Sequence, residues 1–213
     1  MIIVIGNGPS SLKYKNKLNH HKLYGCNKGF TDFPLHACIV RDRLAVMEIN
    51  EFHRDSLCSN MYTLARYLQN RKSYNLADEW QDLPFSGKIQ NNAGVVAIQL
   101  AHLENPHEDI YCIGFDSVLT GRVSKTNYDY PFRTNKQIIA ESTSLSHRKK
   151  VMECVENTDA NVYFVADTQH KRLFKEDAVL LNTITHTEFK KLIGSVSCTK
   201  DTENKDLEIG GVE

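Results

Sequence analysis

The sequence predicts an α/β protein with a single Rossmann-like domain, in which helices cover both faces of a mostly parallel sheet. Three observations lead to this prediction. Short apolar runs rich in β-branched residues alternate with segments of helical period, as in repeated strand–helix units. The first run, residues 2–5, is followed by a glycine-containing turn and Pro9, as at a strand-to-helix junction. The chain has 213 residues, of which 41% are apolar, enough for one well-packed domain.

Charge and hydropathy exclude several classes of protein. Basic and acidic residues number 26 each, so the net charge is zero. This argues against a surface that binds polyanions everywhere, but leaves room for a local basic patch. No apolar run approaches the roughly 20 residues that span a bilayer, and the start of the chain lacks the basic leader and cleavage site of a signal peptide. We therefore expect a cytoplasmic protein that does not insert into membranes. The six cysteines form no C-x-x-C pair, so we expect buried thiols.

The first half of the chain is predicted to contain four strands and two helices. A continuous apolar run predicts a buried strand over residues 1–6, and Pro9 suits the first position of the helix that follows. The spacing of apolar residues between Phe52 and Lys72 has a helical period. In chain order, the predicted elements are a strand over 1–6, a helix over 9–18, strands over 22–26, 36–40 and 44–50, and a helix over 52–72.

The second half is predicted to continue the alternation after a helix over 92–103. Residues 117–140 have no clear period, and a segment of this length inside a domain is typical of a lid or binding loop. Ser144 suits the N-cap of the next helix. The other predicted elements are strands over 110–115, 161–165 and 178–181, and helices over 144–156 and 187–193. The domain is expected to span residues 1–195, with a flexible polar tail over 196–213.

In open parallel sheets, ligands bind at the edge formed by the carboxyl ends of the strands. That rule selects the turns after Ile5, Cys26, Ile49 and Phe115. In the first turn, two glycines flank Asn7, which would let a ligand approach the backbone, and the helix start would offer N–H groups to a phosphate. This turn is not a complete dinucleotide-binding fingerprint, because a serine stands where the third glycine would be. A plain strand-to-helix turn is the alternative.

Asparagines recur near the other predicted strand ends and a helix start. Asn27, Asn50 and Asn92 each carry a side chain that both donates and accepts hydrogen bonds, which suits a base or a ribose. Each one alone is more often a turn or cap residue. Their repetition at one predicted edge favours a nucleotide site.

Several motifs of the chain resemble the bacterial sialyltransferases that extend lipooligosaccharide, and their wider relatives. The resemblance covers residues 1–166, and the segment Gly6-Asn7-Gly8-Pro9-Ser10 is its most specific part. The other motifs are Cys26-Asn27, Asn92-Ala93-Gly94-Val95-Val96-Ala97, Ile110-Tyr111-Cys112-Ile113-Gly114-Phe115-Asp116, a serine-rich helix start, and Asn161-Val162-Tyr163-Phe164. In place of Ala93-Gly94, the family's pattern has Ser-Gly.

The resemblance implies a Rossmann-like variant of the A-type glycosyltransferase fold that works without an essential metal or a cofactor beyond its nucleotide-sugar donor. By analogy, Asn7 and Gly8, with Pro9 and Ser10, would hold the donor nucleotide. Asn27, Asn50 and Asn92 would contact it too, and Ala93-Gly94 would present backbone to the base. The 117–140 loop would close over the donor, with Tyr128 or Tyr130 contacting a phosphate.

Glycosyl transfer needs a base that removes a proton from the acceptor hydroxyl. The family's catalytic histidine lies just before the helix predicted over 144–156, but an ungapped match puts Ser142 there. A small gap would bring His147 into that role, and an exposed helix histidine is the alternative. Asp116 and Glu141 are the rival bases.

Basic residues cluster around the predicted lid, among them Arg122 and Arg133, with aromatic residues interleaved. They form either a solvated loop or the rim of a pocket for a diphosphate or an anionic acceptor. We expect no metal site, because no carboxylates have convincing ligand spacing.

The sequence therefore predicts a glycosyltransferase that moves a sugar from a nucleotide-sugar to a hydroxyl acceptor. The acceptor is an oligosaccharide or a hydroxymethylated base of the kind found in bacteriophage DNA, and the basic aromatic lid slightly favours DNA. A bacteriophage protein would act in the host cytoplasm. The missing histidine match favours the alternative, a non-catalytic module that binds nucleotides or nucleic acid.

Overall fold

The computed structural model describes residues 1–85, 92–116, 118, 141–167 and 181–203, of which 141–145 and 196–203 are described by their backbone alone. The strands are β1 (Ile2–Ile5), β2 (Lys22–Cys26), β3 (Ala37–Ile39), β4 (Met61–Thr63), β5 (Trp80–Asp82), β6 (Ile110–Ile113), β7 (Val162–Ala166) and β8 (Asn182–Thr185). The helices are α1 (Arg43–Phe52), α2 (Ala65–Leu68), α3 (Arg71–Tyr74), α4 (Ala93–Glu104), α5 (Glu141–Glu156) and α6 (His186–Glu203). Short 3-10 helices occupy Pro9–Tyr14, Asn27–Thr31 and Arg54–Ser56.

The eight strands form one sheet in the order β5-β4-β3-β2-β1-β6-β7-β8, and every neighbouring pair is parallel. The chain builds outward from β1 to β5, then returns to place β6 on the other side of β1. In register, Ile2 faces Lys22 of β2 and Ile110 of β6. The strand order therefore reverses between β1 and β6, and the carboxyl edge at this pair is the topological switch point of the sheet.

Helices cover both faces of the sheet, which confirms the predicted layer arrangement. Ile2 and Val4 of β1 point into a core shared with α4 and α5, including Val96 and Val151. The alternate residues of β1, such as Ile3, point into a second core with the 3-10 helix Pro9–Tyr14, α1 and α6. Because β1 is buried on both faces, it reads in sequence as a continuous apolar run.

Five of the predicted strands and the helix over 92–103 are confirmed, with ends that differ by a few residues. The strands are those predicted over 1–6, 22–26, 36–40, 110–115 and 161–165. The helix predicted over 9–18 is only a 3-10 helix, Pro9–Tyr14. The chain from Glu141 is already helical, so Ser144 lies inside α5 and does not cap it.

The strand predicted over 44–50 is wrong, because these residues belong to α1. The side chain of Asp42 accepts hydrogen bonds from the backbone N–H groups of Leu44 and Ala45, at 2.9 and 3.2 Å, and so caps the helix. Ala45 and Ile49 lie four residues apart on the buried side. The prediction of a strand rested on the apolar run alone and did not consider Asp42, whose side chain caps the helix and fixes where it begins.

The single helix predicted over 52–72 is also wrong. That segment contains a 3-10 helix, the strand β4, and the short helices α2 and α3. Met61 and Thr63 are both fully buried in β4, which pairs with β3 and β5 on either side. The pairing of β4 with a strand on each side outweighs the helical period of its apolar residues. β5 was not predicted, because its sequence has no pattern typical of a strand.

Near the end of the chain, the boundaries differ from the prediction. The helix predicted over 187–193 begins at His186 and continues to Glu203, into the segment expected to be a tail. Residues 178–180 of the strand predicted over 178–181 lie outside the described residues, and β8 begins at Asn182. No helix within the described ranges is long and apolar enough to cross a membrane.

Candidate functional site

The first turn, residues 6–11, is joined to the turn that follows β6, residues 114–116. The backbone N–H of Gly6 donates to the carbonyl oxygen of Ile113, and the N–H of Gly8 donates to that of Gly114, both at 2.8 Å. These bonds continue the parallel pairing past the ends of β1 and β6. The two turns therefore form a single rigid unit at the switch point.

The glycines of the first turn are needed for this contact between turns. A Cβ at Gly8 would overlap the Asp116 carboxylate and lie 2.6 Å from the carbonyl oxygen of Gly114. Gly114 itself has a φ of 73°, a conformation that other residues adopt only with strain. The close approach that the sequence assigned to a ligand is thus occupied by the protein's own chain.

Asp116 caps the start of the 3-10 helix Pro9–Tyr14. Its Oδ2 accepts a hydrogen bond of 2.9 Å from the backbone N–H of Ser10. The sequence assigned that N–H to a phosphate, and a negatively charged carboxylate already occupies the position. A phosphate at Ser10 would have to displace Asp116 or bind beside a like charge.

Asn7 and Asn27 lie at the carboxyl ends of the adjacent strands β1 and β2. The thiol of Cys26 lies 3.6 Å from Oδ1 of Asn7 and 3.8 Å from the carbonyl oxygen of Ile5, and either oxygen can accept its single proton. Burial raises the pKa of that thiol to about 12, so it stays protonated. With its oxygen towards Cys26, the Asn7 amide carries an NH₂ group that has no hydrogen-bond partner among the residues that the structure describes. Asn27 has a φ of 53°, and its carbonyl oxygen accepts a hydrogen bond of 3.1 Å from Cys38.

The start of α4 lies beside the same two turns. Oδ1 of Asn92 accepts a hydrogen bond of 2.9 Å from the N–H of Val95, so Asn92 is the N-cap of α4. Gly94 is close to the Phe115 ring, because a Cβ there would lie 3.2 Å from Cε1. Asn92, Ala93 and Gly94 are therefore brought to the switch point together with Asn7 and Asp116.

Asn50 does not belong to this edge, which corrects its assignment to a strand end. It lies in the last turn of α1, and α1 runs from the carboxyl end of β3 back towards the start of β4. Its Nδ2 donates to the carbonyl oxygen of Asn75, and its Oδ1 accepts a 3.0 Å hydrogen bond from the N–H of Ala77. The side chain is 5% exposed, and its amide connects α1 to the chain before β5.

Two candidate bases, His147 and Glu141, lie on α5, and only the side chain of His147 is described. His147 is half-buried and lies one turn before Val151, on the side of α5 that packs towards the sheet. Burial, together with the charge of Lys150, lowers the pKa of His147 below its ordinary value. Glu141 is the first residue of α5, and its side chain lies outside the described part.

A histidine that sequence reasoning missed lies at the carboxyl edge beyond β8. His186 is the first residue of α6, and its Nδ1 is 2.6 Å from the Tyr14 hydroxyl. Its Nε2 is 3.5 Å from Oδ1 of Asp167, and Lys13 is equally close to the same oxygen. Burial and Lys13 lower the pKa of His186, while Asp167 and Asp116 act in the opposite direction.

One sequence signal marks the start of this helix. Thr185 and Glu188 form a capping box, in which the N–H of Thr185 donates to the Glu188 carboxylate at 2.6 Å and the N–H of Glu188 donates to Oγ1 of Thr185 at 3.1 Å. The spacing T-x-x-E at the end of a strand would have placed His186 at the ligand edge. No sequence signal pairs it with Tyr14, which is 172 residues away.

The remaining predicted site residues belong to the segment 117–140. Tyr128, Tyr130, Arg122 and Arg133, and the lid over 117–140 apart from Val118, lie outside the described residues. Across the described ranges, no group of three or more histidine, cysteine, aspartate or glutamate side chains is arranged to hold a metal ion.

No model of a known protein family, no curated protein and no solved structure matches this chain. Its fold and edge define a class: a doubly wound, all-parallel α/β protein with polar side chains gathered at the switch point.

Proposed function

We propose that this chain is a glycosyltransferase that takes its sugar from a nucleotide-sugar donor. The observation that carries the proposal is the convergence of Asn7, Asp116 and the start of α4 at the switch point, where open parallel sheets bind ligands. The NH₂ group of Asn7, which has no partner among the described residues, would donate to a ribose hydroxyl or a base carbonyl. The resemblance of the surrounding motifs to bacterial sialyltransferases supports sugar transfer as the reaction.

The phosphates of the donor would not use the N–H of Ser10, because Asp116 holds it. The nucleoside part would instead lie along Asn7 and Asn27, with the backbone of Ala93 and Gly94 beside the base. By the family resemblance, the phosphates would contact Tyr128 or Tyr130, which would donate hydrogen bonds, and Arg122 and Arg133, whose positive charges would stabilise the leaving phosphate.

The acceptor hydroxyl would lose its proton to a side chain near this edge. His147 suits the task, since a lowered pKa keeps its imidazole neutral near pH 7. Asp116 is held in place by Ser10, and Glu141 remains a rival. His186 joins the candidates because it lies at the same edge and its pKa is also lowered. We favour the hydroxymethylated base of bacteriophage DNA over an oligosaccharide as acceptor, and the cytoplasm as the place of action.

The test is donor turnover with CMP-, UDP- and GDP-linked sugars, offered with hydroxymethylated DNA or an oligosaccharide. We expect His147→Gln to lower the rate about a hundredfold to ten-thousandfold with nearly unchanged donor affinity. The native rate should rise with pH through a pKa lower than that of an ordinary histidine, since burial and Lys150 lower the pKa of His147 and only the neutral imidazole accepts the proton. His186→Gln and Asp116→Asn, made alongside, would identify the base if His147→Gln stays active.

Two outcomes would contradict the proposal. Nucleotide binding without turnover of any donor would leave the second candidate, a non-catalytic module. Loss of activity on chelation, with recovery in manganese, would contradict the metal-independent mechanism.

A further inference from the structure

A basic cleft lies further along α6 from His186, towards the amino edge of the sheet. One wall is the segment that leads from the 3-10 helix Pro9–Tyr14 into β2, and the other is α6. The cleft has a volume of about 290 Å³ and is lined by Lys17, His20, His21, Lys190, Ile193 and Gly194. Since β2 begins at Lys22, directly after the first wall, this cleft opens near the amino edge of the sheet.

The walls of the cleft are held together by buried contacts. The rings of Tyr14 and Phe189 meet edge to face at 5.1 Å, and both side chains are fully buried. Leu18, which lies within the first wall, is 1% exposed in the same core. The two walls therefore keep a fixed separation, and the cleft does not depend on the positions of surface side chains alone.

Among the described residues that line the cleft, two are lysines and two are histidines, and none carries a carboxylate. The ammonium of Lys17 donates to the carbonyl oxygen of Lys13 at 3.1 Å, which orients this lysine along the wall. Within the described part of the chain, neither Lys17 nor Lys190 forms an ion pair, although ion pairs hold other exposed lysines such as Lys15. Like charges gathered in a concave site repel one another unless an anion lies between them.

We propose that this cleft binds a ligand carrying adjacent phosphate groups. Lysine ammonium groups are common phosphate ligands, and two of them from opposite walls would contact a diphosphate from both sides. The volume is close to the lower end of the range for ligand pockets, about 300 Å³. Ile193 adds an apolar surface for the group attached to the phosphates. The site is separate from the edge of Asn7 and Asp116 and does not rest on the proposed function.

The test is calorimetric titration of the full chain with inorganic pyrophosphate at constant ionic strength. We expect the double variant Lys17→Gln/Lys190→Gln to bind at least about tenfold more weakly, since it removes two positive charges that would donate hydrogen bonds to the phosphates. The matched control is Lys15→Gln/Lys191→Gln, which removes the same charge from the same two elements but outside the cleft. The control should bind as the native chain does, and thermal unfolding should confirm that both variants fold.

A second arm replaces pyrophosphate with a short single-stranded DNA oligonucleotide. Competition between the two would identify the phosphates as those of nucleic acid, whereas binding of pyrophosphate alone would identify a free diphosphate. Absence of pyrophosphate binding would overturn the proposal. Equal weakening in the two double variants would overturn it too, because general attraction to positive charge would then explain the binding.

Discussion

Gly8 and Asp116 meet where β1 and β6 end, and each restricts what the other can do. The carboxylate of Asp116 fills the space beside Gly8 that a side chain would need, and it accepts the hydrogen bond of Ser10. At the scale of single residues, the turn after β1 was predicted correctly. Its glycines were expected to make room for a ligand, whereas Gly8 makes room for Asp116 and Gly114. The partner was hidden because Asp116 is 106 residues away from Ser10 in the chain.

We therefore predict that Gly8→Ala lowers the free energy of unfolding by about 1–3 kcal/mol, because the added methyl group overlaps Asp116 and the Gly114 carbonyl. Denaturant unfolding measures the change. The control is Gly194→Ala in α6, where a Cβ meets open space and should stabilise the helix by up to about 1 kcal/mol. If Gly8→Ala is as stable as the native chain, the contact between the two turns is looser than described.

At the scale of elements, the strands were easier to predict than the segments between them. β1 is buried on both faces, so a continuous apolar run identified it, whereas the polar turn Asn27-Lys28-Gly29 marked the end of β2. The run in α1 is equally apolar on one side, but the Asp42 cap decides its conformation. β4 and β5 are only three residues each, and pairing with neighbours that are distant in sequence determines them.

One buried ion pair connects two of these elements. The ammonium of Lys28, in the 3-10 helix after β2, contacts the carboxylate of Glu48 in α1, and the Glu48 side chain is fully buried. The pair fixes the segment that carries Asn27 at the ligand edge. The sequence did not predict this ion pair, because Lys28 and Glu48 lie on different elements.

We predict that Glu48→Gln lowers the free energy of unfolding by about 1–3 kcal/mol, because it removes the carboxylate charge that the buried Lys28 ammonium contacts. Glu51→Gln is the matched control on the exposed side of the same helix, where surface changes stay within about 0.5 kcal/mol. Chemical denaturation of both variants provides the comparison. Equal stability of the two would mean that the Lys28 charge has enough other partners.

At the scale of the whole molecule, the fold class and the ligand edge were predictable from the order of the elements alone. Alternating strands and helices require a mostly parallel sheet, and the position of its carboxyl edge follows. The members of the candidate site were predictable only in part. Asn7, Asn92 and Asp116 adjoin elements that were correctly predicted, whereas Asn50 was misplaced together with α1, and His186 is brought to the edge by a tertiary contact.

The proposed function requires that a nucleotide bind at the switch point between β1 and β6. A titration with CMP, UDP and GDP, followed through the side-chain amide NMR signals of the asparagines, tests this requirement. We predict that one nucleotide shifts the signals of Asn7, Asn27 and Asn92 together, while Asn50, whose amide is buried against α1's neighbours, and Asn16, on the surface, stay unchanged. Shifts that spare Asn7 and Asn92 at saturating concentrations of every nucleotide would contradict the claim.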